Sequence, residues 1–249
     1  MRQGFIIPVY RHGKTACSIA ERLAVMGLPV ILVDDGNEAE EQSVLAECAE
    51  KTRGLVLVRL EKNSGKGAAF AKGLEKAKEL GLTHVLQIDA DGQHDEGRIG
   101  FFLEESAAHP DKVICAFPEF DKTAPKSRVT GRKISTFWAA VVTLSTEFKD
   151  VLCGFRVYPV KESLRITRSI FLDKRMGFDS DIIVRLYWNN VLPVFYPVKV
   201  TYPLDGVSNF RVVSDNVRIS MVFTRLCIGM FLRLPLLIVR KIKRRKGKR

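Results

Sequence analysis

The first 117 residues alternate between short apolar runs and longer stretches in which apolar residues recur at helical spacing. The short runs, many of them β-branched, predict five strands: Phe5–Pro8, Val30–Val33, Leu55–Leu60, His84–Ile88 and Val113–Phe117. The stretches between them predict four helices: Lys14–Met26, Glu38–Lys51, Gly67–Leu80 and Glu96–Ala108. Strands and helices that alternate in this way indicate an α/β fold, a mostly parallel sheet flanked by helices on both faces.

The second half of the chain has a less regular pattern. Lys122–Lys133 is polar and basic and predicts a loop that leads into a helix over Thr136–Leu144. Further elements are predicted as a strand at Phe155–Tyr158, a helix at Phe178–Asn190, a strand at Val194–Val200 and a loop at Leu204–Ser214. We expect residues 1–215 to form one large domain, followed by a basic C-terminal segment at residues 216–249.

Polar residues follow the first four predicted strands at the point where each strand ends. They form four groups: Pro8-Val9-Tyr10, Asp34-Asp35-Gly36, Asn63-Ser64-Gly65-Lys66-Gly67, and Asp89 with Asp91. Parallel α/β sheets bind their ligands at the carboxyl ends of the strands. The pattern therefore predicts one polar crevice at this edge of the sheet.

Asp89 and Asp91 are the most informative pair in the sequence. Alternation along a strand would send both side chains to the same side, separated by one residue. Two carboxylates that close repel each other unless a cation lies between them, and a hard ion such as Mg²⁺ or Mn²⁺ that also binds a substrate diphosphate is suited to this position. The alternative is a solvated acidic turn.

The glycine-rich segment Asn63–Gly67 lacks the spacing of a Walker loop. It still offers backbone N–H groups and the ammonium of Lys66 to a nucleotide phosphate, although an ordinary loop-to-helix junction has the same appearance. Asp35 lies in an Asp-Gly turn, and its carboxylate there can accept hydrogen bonds from a base or ribose.

Together these segments resemble glycosyltransferase family 2, the inverting enzymes of GT-A fold, and particularly the dolichyl- and polyprenyl-phosphate sugar transferases. The resemblance extends from residue 4 to about residue 215. It rests on five motifs in order: Ile6-Ile7-Pro8-Val9-Tyr10, Val33-Asp34-Asp35-Gly36, Asn63-Ser64-Gly65-Lys66-Gly67, Asp89-Ala90-Asp91-Gly92-Gln93-His94, and Cys153-Gly154-Phe155-Arg156. It implies a Rossmann-like GT-A sheet and a nucleotide-diphospho-sugar donor, linked to UDP or GDP.

The resemblance also implies roles for individual residues. Pro8 and Tyr10 would line the base pocket, and Asp35 would contact the base or ribose. Asp89 would hold ribose or metal, Asp91 would be the principal ligand of Mg²⁺ or Mn²⁺, and Gln93 would complete the metal shell. Two departures from the common pattern, Asn37 and Cys153, stand where serine is frequent.

An acidic residue facing the acceptor is implied within Gly177–Asp181. Asp179 fits that position better than Asp181, which could instead cap the following helix. A hydroxyl acceptor needs a base, whereas a lipid phosphate is already an anion and needs Asp179 only for orientation. As plain structure, both acids would be first-turn residues favoured by the helix dipole.

Two arginines are candidates for binding the donor phosphates. Arg156 would contact phosphate or pair with Asp150, and Arg211 resembles the basic residue of a loop that closes over the donor diphosphate. The alternative for Arg211 is an ordinary surface arginine.

The C-terminal segment combines apolar residues with a periodic row of arginines. Arg218, Arg225, Arg233 and Arg240 fall within about 80° of one helix face. Eight of the last ten residues are Lys or Arg, and the whole chain carries a net charge of +12. No apolar run approaches the roughly 20 residues of a spanning helix. We therefore expect an amphipathic basic helix on an anionic membrane surface, the alternative being a core-packed helix with a solvated basic face.

These observations predict a metal-dependent, inverting glycosyltransferase. Its acceptor would be lipid-linked or apolar, with polyprenyl phosphate favoured. The scattered cysteines and the absence of a signal-peptide pattern indicate a cytoplasmic protein, peripheral on the inner face of the cell membrane. Nucleic acid is not an expected partner, because the basic segment is too apolar and no reader motif is present. The alternative is a catalytically silent nucleotide-sugar-binding or membrane-adaptor protein on the same fold.

Overall fold

The computed structural model describes residues 1–119, 126–199 and 212–246 of the chain. Within these residues one sheet contains seven strands: β1 (Gln3–Val9), β2 (Val30–Asp34), β3 (Leu55–Arg59), β4 (His84–Gln87), β5 (Val113–Glu119), β6 (Arg156–Pro159) and β7 (Pro193–Lys199). Their order is β3-β2-β1-β4-β6-β5-β7. β6 runs antiparallel to both of its neighbours and the other pairs are parallel, which confirms the predicted, mostly parallel sheet.

The described residues also contain eight α-helices. They are α1 (Gly13–Ala24), α2 (Ala39–Lys51), α3 (Lys66–Glu79), α4 (Ile99–Ala108), α5 (Lys126–Thr143), α6 (Val160–Thr167), α7 (Phe178–Trp188) and α8 (Val212–Lys246). A 3₁₀ turn at Glu96–Arg98 leads into α4. The four helices predicted in the first half are confirmed.

In the second half one prediction was wrong and one helix was missed. α5 begins at Lys126, where the basic sequence predicted a loop as far as Lys133. The misassigned part, residues 126–133, is polar and basic and contains a single apolar residue, Val129, so it has no apolar helical period. α6 was not predicted, because it is one short stretch of eight residues directly after Pro159. Most of the predicted loop at Leu204–Ser214 lies outside the described residues.

The sheet buries apolar residues on both faces, which explains why its strands read as continuous apolar runs. Phe5 and Ile7 pack against the layer of α1, α2 and α4, while Ile6 between them packs against the layer of α3 and α5 to α8. α8 belongs to this second layer, where Val222 and Leu226 are fully buried. The C-terminal helix is therefore part of the core that supports the sheet.

Candidate active site

The ends of β2 and β3 are joined by the carboxylate of Asp35. Its oxygens accept hydrogen bonds from the backbone N–H of Ser64 (2.7 Å) and of Gly65 (2.9 Å). Gly36 allows this approach, because it has a φ of 65° and a Cβ there would lie 2.1 Å from the backbone of Lys62. Burial raises the pKa of Asp35, and the two N–H groups oppose that rise. Asp35 therefore fixes the glycine-rich loop against the end of β2.

The end of β1 lies beside this loop. Pro8 and Tyr10 are both half-buried, and Val9 between them accepts a hydrogen bond from the N–H of Asp35 (2.9 Å). Asn37 ties the same ends together, since its amide donates to the carbonyl of Val9 (2.9 Å) and to Asp34 Oδ1 (2.8 Å). The structure thus brings Pro8, Tyr10 and Asp35 together, and gives Asn37 a structural role that its place in the motif did not reveal.

Lys66, the first residue of α3, connects two carboxylates from distant parts of the chain. Its Nζ lies 2.7 Å from Asp89 Oδ1, just beyond β4, and 2.7 Å from Asp179 Oδ2, in the first turn of α7. Gln87 adds a hydrogen bond of 3.3 Å from its amide to Asp179 Oδ1. No local motif indicates this link, because Lys66 and Asp179 are 113 residues apart.

The cation and the carboxylates stabilise each other's charged forms. Burial alone would lower the pKa of Lys66, but Asp179 and Asp89 outweigh it and leave that pKa raised. Burial alone would raise the pKa of Asp89, but Lys66 and His94 outweigh it and leave that pKa lowered. His94 lies 3.4 Å from the second oxygen of Asp89. Asp89 and Lys66 are therefore both ionised at neutral pH.

The remaining residues of the acidic motif form a turn after β4. Asp91 and Gln93 are half-buried, and Asp91 Oδ1 accepts a hydrogen bond from the Gln93 N–H (3.1 Å). Among the residues that the structure describes, no three acidic, histidine or cysteine side chains form an all-protein metal cage. Carboxylate and amide oxygens are nevertheless the ligands that Mg²⁺ and Mn²⁺ prefer, and Mg²⁺ is commonly held by one or two carboxylates plus substrate phosphates.

Gly154 lies so close to Asp89 that a side chain there would collide with the carboxylate. A Cβ on Gly154 would lie 2.8 Å from both carboxylate oxygens of Asp89 and 2.5 Å from Lys66 Nζ. The Cys153-Gly154-Phe155-Arg156 motif therefore leaves room for the charged groups at the end of β4. Lys66 Nζ occupies the space beside Gly154, and the oxygens of Asp89, Asp91 and Gln93 are of the type that a divalent cation prefers.

Arg156 does not lie open to a donor phosphate or pair with Asp150. It is fully buried on β6, where Nη1 donates to the carbonyl of Asp179 (2.7 Å) and lies 3.3 Å from the hydroxyl of Tyr158. Asp150 pairs instead with Arg132 (2.9 Å). An antiparallel strand between β4 and β5 buries this position, a placement that the sequence motif alone did not show. Arg156 thus positions the start of α7.

The two acids of α7 have different surroundings. Asp179 faces the crevice, whereas Asp181 accepts hydrogen bonds from the N–H of Asp173 (2.8 Å) and from Arg185 Nε (2.5 Å). Asp181 therefore holds the preceding loop and does not cap its own helix. Arg211, the candidate for the closing basic loop, lies outside the described residues.

Four arginines share one edge of α8, as the sequence predicted: Arg218, Arg225, Arg233 and Arg240. The first two lie 3.5 Å and 3.9 Å from the carboxylates of Asp173 and Asp181. The third stacks 5.0 Å from the ring centre of Trp188, and the fourth donates to the carbonyl of Trp188. We expected this edge to meet anionic headgroups, but the structure places it along α7.

The outward side of α8 is apolar. Large side chains exposed along it include Val217, Met221, Ile228, Phe231, Leu232, Leu236, Val239 and Ile242. The neighbouring α5 exposes three more: Ile134, Phe137 and Trp138. By length and composition, residues Ser214–Arg244 could also cross a membrane, with 28% of their most apolar window buried. These exposed residues form a surface that we call the apolar face.

Comparison with known sequences gives consistent results. The model of the family described as glycosyl transferase family 2 matches residues 5–191. Polyprenol monophosphomannose synthase of Mycolicibacterium smegmatis is 26% identical over 223 residues, 87% of this chain and 83% of that protein. The UDP-N-acetylglucosamine–dolichyl-phosphate N-acetylglucosaminyltransferase of Methanococcus voltae is 30% identical over 213 residues, 79% of this chain and 84% of that protein.

Solved structures share the fold at lower identity. Glucosyl-3-phosphoglycerate synthase from Mycobacterium tuberculosis, in complex with Mn²⁺, UDP and glucosyl-3-phosphoglycerate, superposes with a TM-score of 0.67 at 13% identity. The match covers 91% of this chain and 80% of that one. With a family model matched over most of its length and a sheet of GT-A architecture, this chain belongs to glycosyl transferase family 2 and is a glycosyltransferase.

Proposed function

We propose that this glycosyltransferase moves a sugar from a nucleotide-diphospho-sugar to polyprenyl phosphate or a related lipid-linked or apolar acceptor. Transfer proceeds with inversion and depends on Mg²⁺ or Mn²⁺. One observation carries the proposal: Lys66 holds Asp89, on the donor side, and Asp179, on the acceptor side, each at 2.7 Å. The two halves of a transfer site therefore adjoin at one point of the crevice.

The donor side is the crevice at the ends of β1 to β4. Pro8 and Tyr10 flank the position for the base, and Asp35, fixed by the glycine-rich loop, accepts hydrogen bonds from base or ribose. Asp89, Asp91 and Gln93 would hold the cation. A divalent ion held there would supply positive charge to the departing diphosphate. Lys66 and Arg211, which lies outside the described residues, supply further positive charge for the phosphates.

The acceptor side is the first turn of α7. Asp179 is held by Lys66, by the amide of Gln87 and, through its carbonyl, by Arg156. A hydroxyl acceptor would give its proton to Asp179 as it attacks the anomeric carbon, whereas a phosphate acceptor attacks as an anion and needs only orientation. The two relatives named above are a polyprenol-phosphate and a dolichyl-phosphate sugar transferase, which favours the phosphate acceptor for this chain.

The apolar face supports a peripheral position on the inner face of the membrane. α8 is attached to the rest of the protein along its length. Near its start Arg218 pairs with Asp173, and near its end Arg244 donates to Asn190 Oδ1 (3.0 Å). A helix held along its side in this way lies parallel to the protein surface, and crossing the bilayer would carry polar parts of α7 into hydrocarbon. Insertion of the apolar face, with the basic tail near anionic lipid, gives a surface-bound enzyme.

The test is thermal unfolding of the full chain with UDP or GDP, each with and without Mn²⁺. A ligand at about 100 times its dissociation constant adds about 2.7 kcal/mol to the free energy of unfolding. We expect one nucleotide to stabilise the protein and Mn²⁺ to enlarge the effect. The nucleotide identified in this way selects the sugar donors for a transfer assay with polyprenyl phosphate in detergent.

Two outcomes separate the alternatives. Turnover with the selected donor, lost in Asp91→Asn, supports the transferase with its metal site. Nucleotide binding without transfer to any polyprenyl phosphate or lipid hydroxyl would favour the catalytically silent sugar-nucleotide-binding protein instead.

A further inference from the structure

The ammonium of Lys66 contacts a carboxylate that is also a proposed ligand of the divalent metal ion. Its Nζ contacts Asp89 Oδ1 at 2.7 Å, and Asp89 is one of the two carboxylates that would hold the divalent ion. The side chain of Lys66 is 20% exposed and that of Asp89 is 27% exposed, so water screens this pair weakly. The ammonium and a divalent ion would therefore share one carboxylate.

The backbone beside Lys66 is held in place, which fixes the point from which the lysine side chain extends. Gly67 N–H donates to the carbonyl of Lys174 (2.9 Å), and a Cβ on Gly67 would lie 2.5 Å from the ring of Phe178. On the other side, Gly154 leaves the space that Nζ fills. Asp179 holds the same ammonium from a third direction at 2.7 Å. Lys66 is thus built into the site by close contacts with three separate segments.

We propose, on the basis of the proposed function, that Lys66 is a resident counter-cation that competes with the divalent metal for Asp89. In the free enzyme the ammonium already neutralises Asp89 and repels a dication, so free Mn²⁺ binds weakly. A donor diphosphate brings anionic oxygens that bind both cations, so Lys66 can turn from Asp89 towards phosphate while the metal takes the carboxylate. Metal and nucleotide therefore bind with strong mutual coupling.

A purely structural ion pair makes a different prediction. If Lys66 served only to hold Asp89 and Asp179 in place, its loss would loosen the metal ligands and weaken Mn²⁺ binding. If Lys66 competes with the metal, removal of its charge strengthens Mn²⁺ binding in the absence of nucleotide. The sign of one measured change separates the two roles.

The experiment is a titration of Mn²⁺ into the full chain without nucleotide, followed by electron paramagnetic resonance of the free ion. Four proteins are compared: wild type, Lys66→Gln, Lys66→Arg and Lys72→Gln. Lys72 lies on the same helix, is exposed, and pairs with Glu75 at 2.8 Å, so it controls for net charge. We expect Lys66→Gln to bind Mn²⁺ about tenfold or more tightly than wild type. Lys66→Arg and Lys72→Gln should remain close to wild type.

The titration is repeated with saturating UDP and with saturating GDP. Because coupling between two ligands is reciprocal, the factor by which the nucleotide improves Mn²⁺ affinity should fall in Lys66→Gln. In wild type, nucleotide should raise the Mn²⁺ affinity by a large factor. This measurement tests the proposal even if Lys66→Gln does not fold.

Three results overturn the proposal. One is Mn²⁺ affinity in folded Lys66→Gln that equals or falls below that of wild type. Another is wild-type Mn²⁺ affinity that neither nucleotide changes, while nucleotide still binds; in both cases the proposed transferase function stands. Absence of Mn²⁺ binding in every protein, with and without nucleotide, would instead remove the metal-dependent function together with this proposal.

Discussion

The catalytic crevice and the arginine edge of α8 both pair basic side chains with aspartates of α7. Asp179 and Asp181 are two residues apart, so they lie on opposite sides of the helix. Asp179 meets Lys66 at 2.7 Å in the crevice, where the lysine is 20% exposed. Asp181 meets Arg225 at 3.9 Å on the outer side, where the arginine is 45% exposed. One helix therefore presents an aspartate to the crevice on one side and another to the C-terminal helix on the other.

The difference shows that the role of a basic side chain depends on how far it is buried. The row of arginines in α8 and the lysine of the glycine-rich loop are both typical anion-binding signals in a sequence. In the structure the lysine contacts two carboxylates at short range, whereas Arg218 and Arg225 form longer, half-solvated contacts that fasten a helix. Screened pairs of the second kind contribute little stability each, while pairs sheltered from water control the charge of a site.

The largest expected effect is on the crevice side, in Asp91→Asn. Loss of one carboxylate charge removes a main ligand of the proposed cation, which would stabilise the departing diphosphate, so kcat/KM should fall about 100-fold or more. Steady-state transfer with the donor and acceptor that the wild type uses measures the change. Asp111→Asn, an exposed acid away from the crevice, should keep wild-type activity. Full activity of Asp91→Asn at saturating Mn²⁺ would contradict the metal assignment.

In α8, a buried and an exposed leucine allow the effect of core packing to be compared with that of surface contact. Leu226 is fully buried and Leu232 is 80% exposed. Leu226→Ala should lower the free energy of unfolding by about 2–4 kcal/mol, because it leaves a cavity in the layer beneath the sheet. Leu232→Ala should change it by less than about 0.5 kcal/mol. Urea denaturation compares the two, and equal effects would show that α8 does not pack as described.

The apolar face should matter for membranes and not for folding. The double variant Phe231→Ser/Leu232→Ser removes two large exposed side chains, so partitioning to anionic vesicles should fall about tenfold or more. Sedimentation with vesicles of phosphatidylcholine and phosphatidylglycerol measures it. Val25→Ser, at an exposed apolar residue after α1 on the opposite layer, is the matched control. Unchanged vesicle binding of the double variant would argue against this face as the membrane contact.

The smallest effect is expected for Arg225→Gln, since the pair is half-exposed and Asp181 keeps Arg185 at 2.5 Å. The free energy of unfolding should fall by less than about 1 kcal/mol. Burial already raises the pKa of Asp181, and Arg185 and Arg225 oppose that rise, so losing Arg225 raises it further. The deficit of the variant should therefore be present at neutral pH and shrink as the pH falls through this raised pKa, because both proteins then carry a neutral Asp181. Thermal unfolding between pH 7 and pH 4 measures it.

Much of the site could be predicted because its motifs are local. Asp35, Lys66, Asp89 and Asp91 each follow a strand of a parallel sheet, and such strand ends must meet at one edge. Arg156 shows where this reasoning fails. Its motif resembles a phosphate contact, but β6 runs antiparallel between β4 and β5 and carries the arginine into the core.

The order of residues along the chain is enough to predict the alternation of strands and helices, the polar edge of the sheet and the periodic arginine row of α8. These depend on neighbours along the chain, where backbone geometry fixes which side chains share a face. The contact between Lys66 and Asp179, and the position of the arginine row beside α7, follow only from the packing of the layers. Those contacts join residues far apart in the chain. Their partners depend on how the layers pack, and a local sequence pattern does not predict this packing.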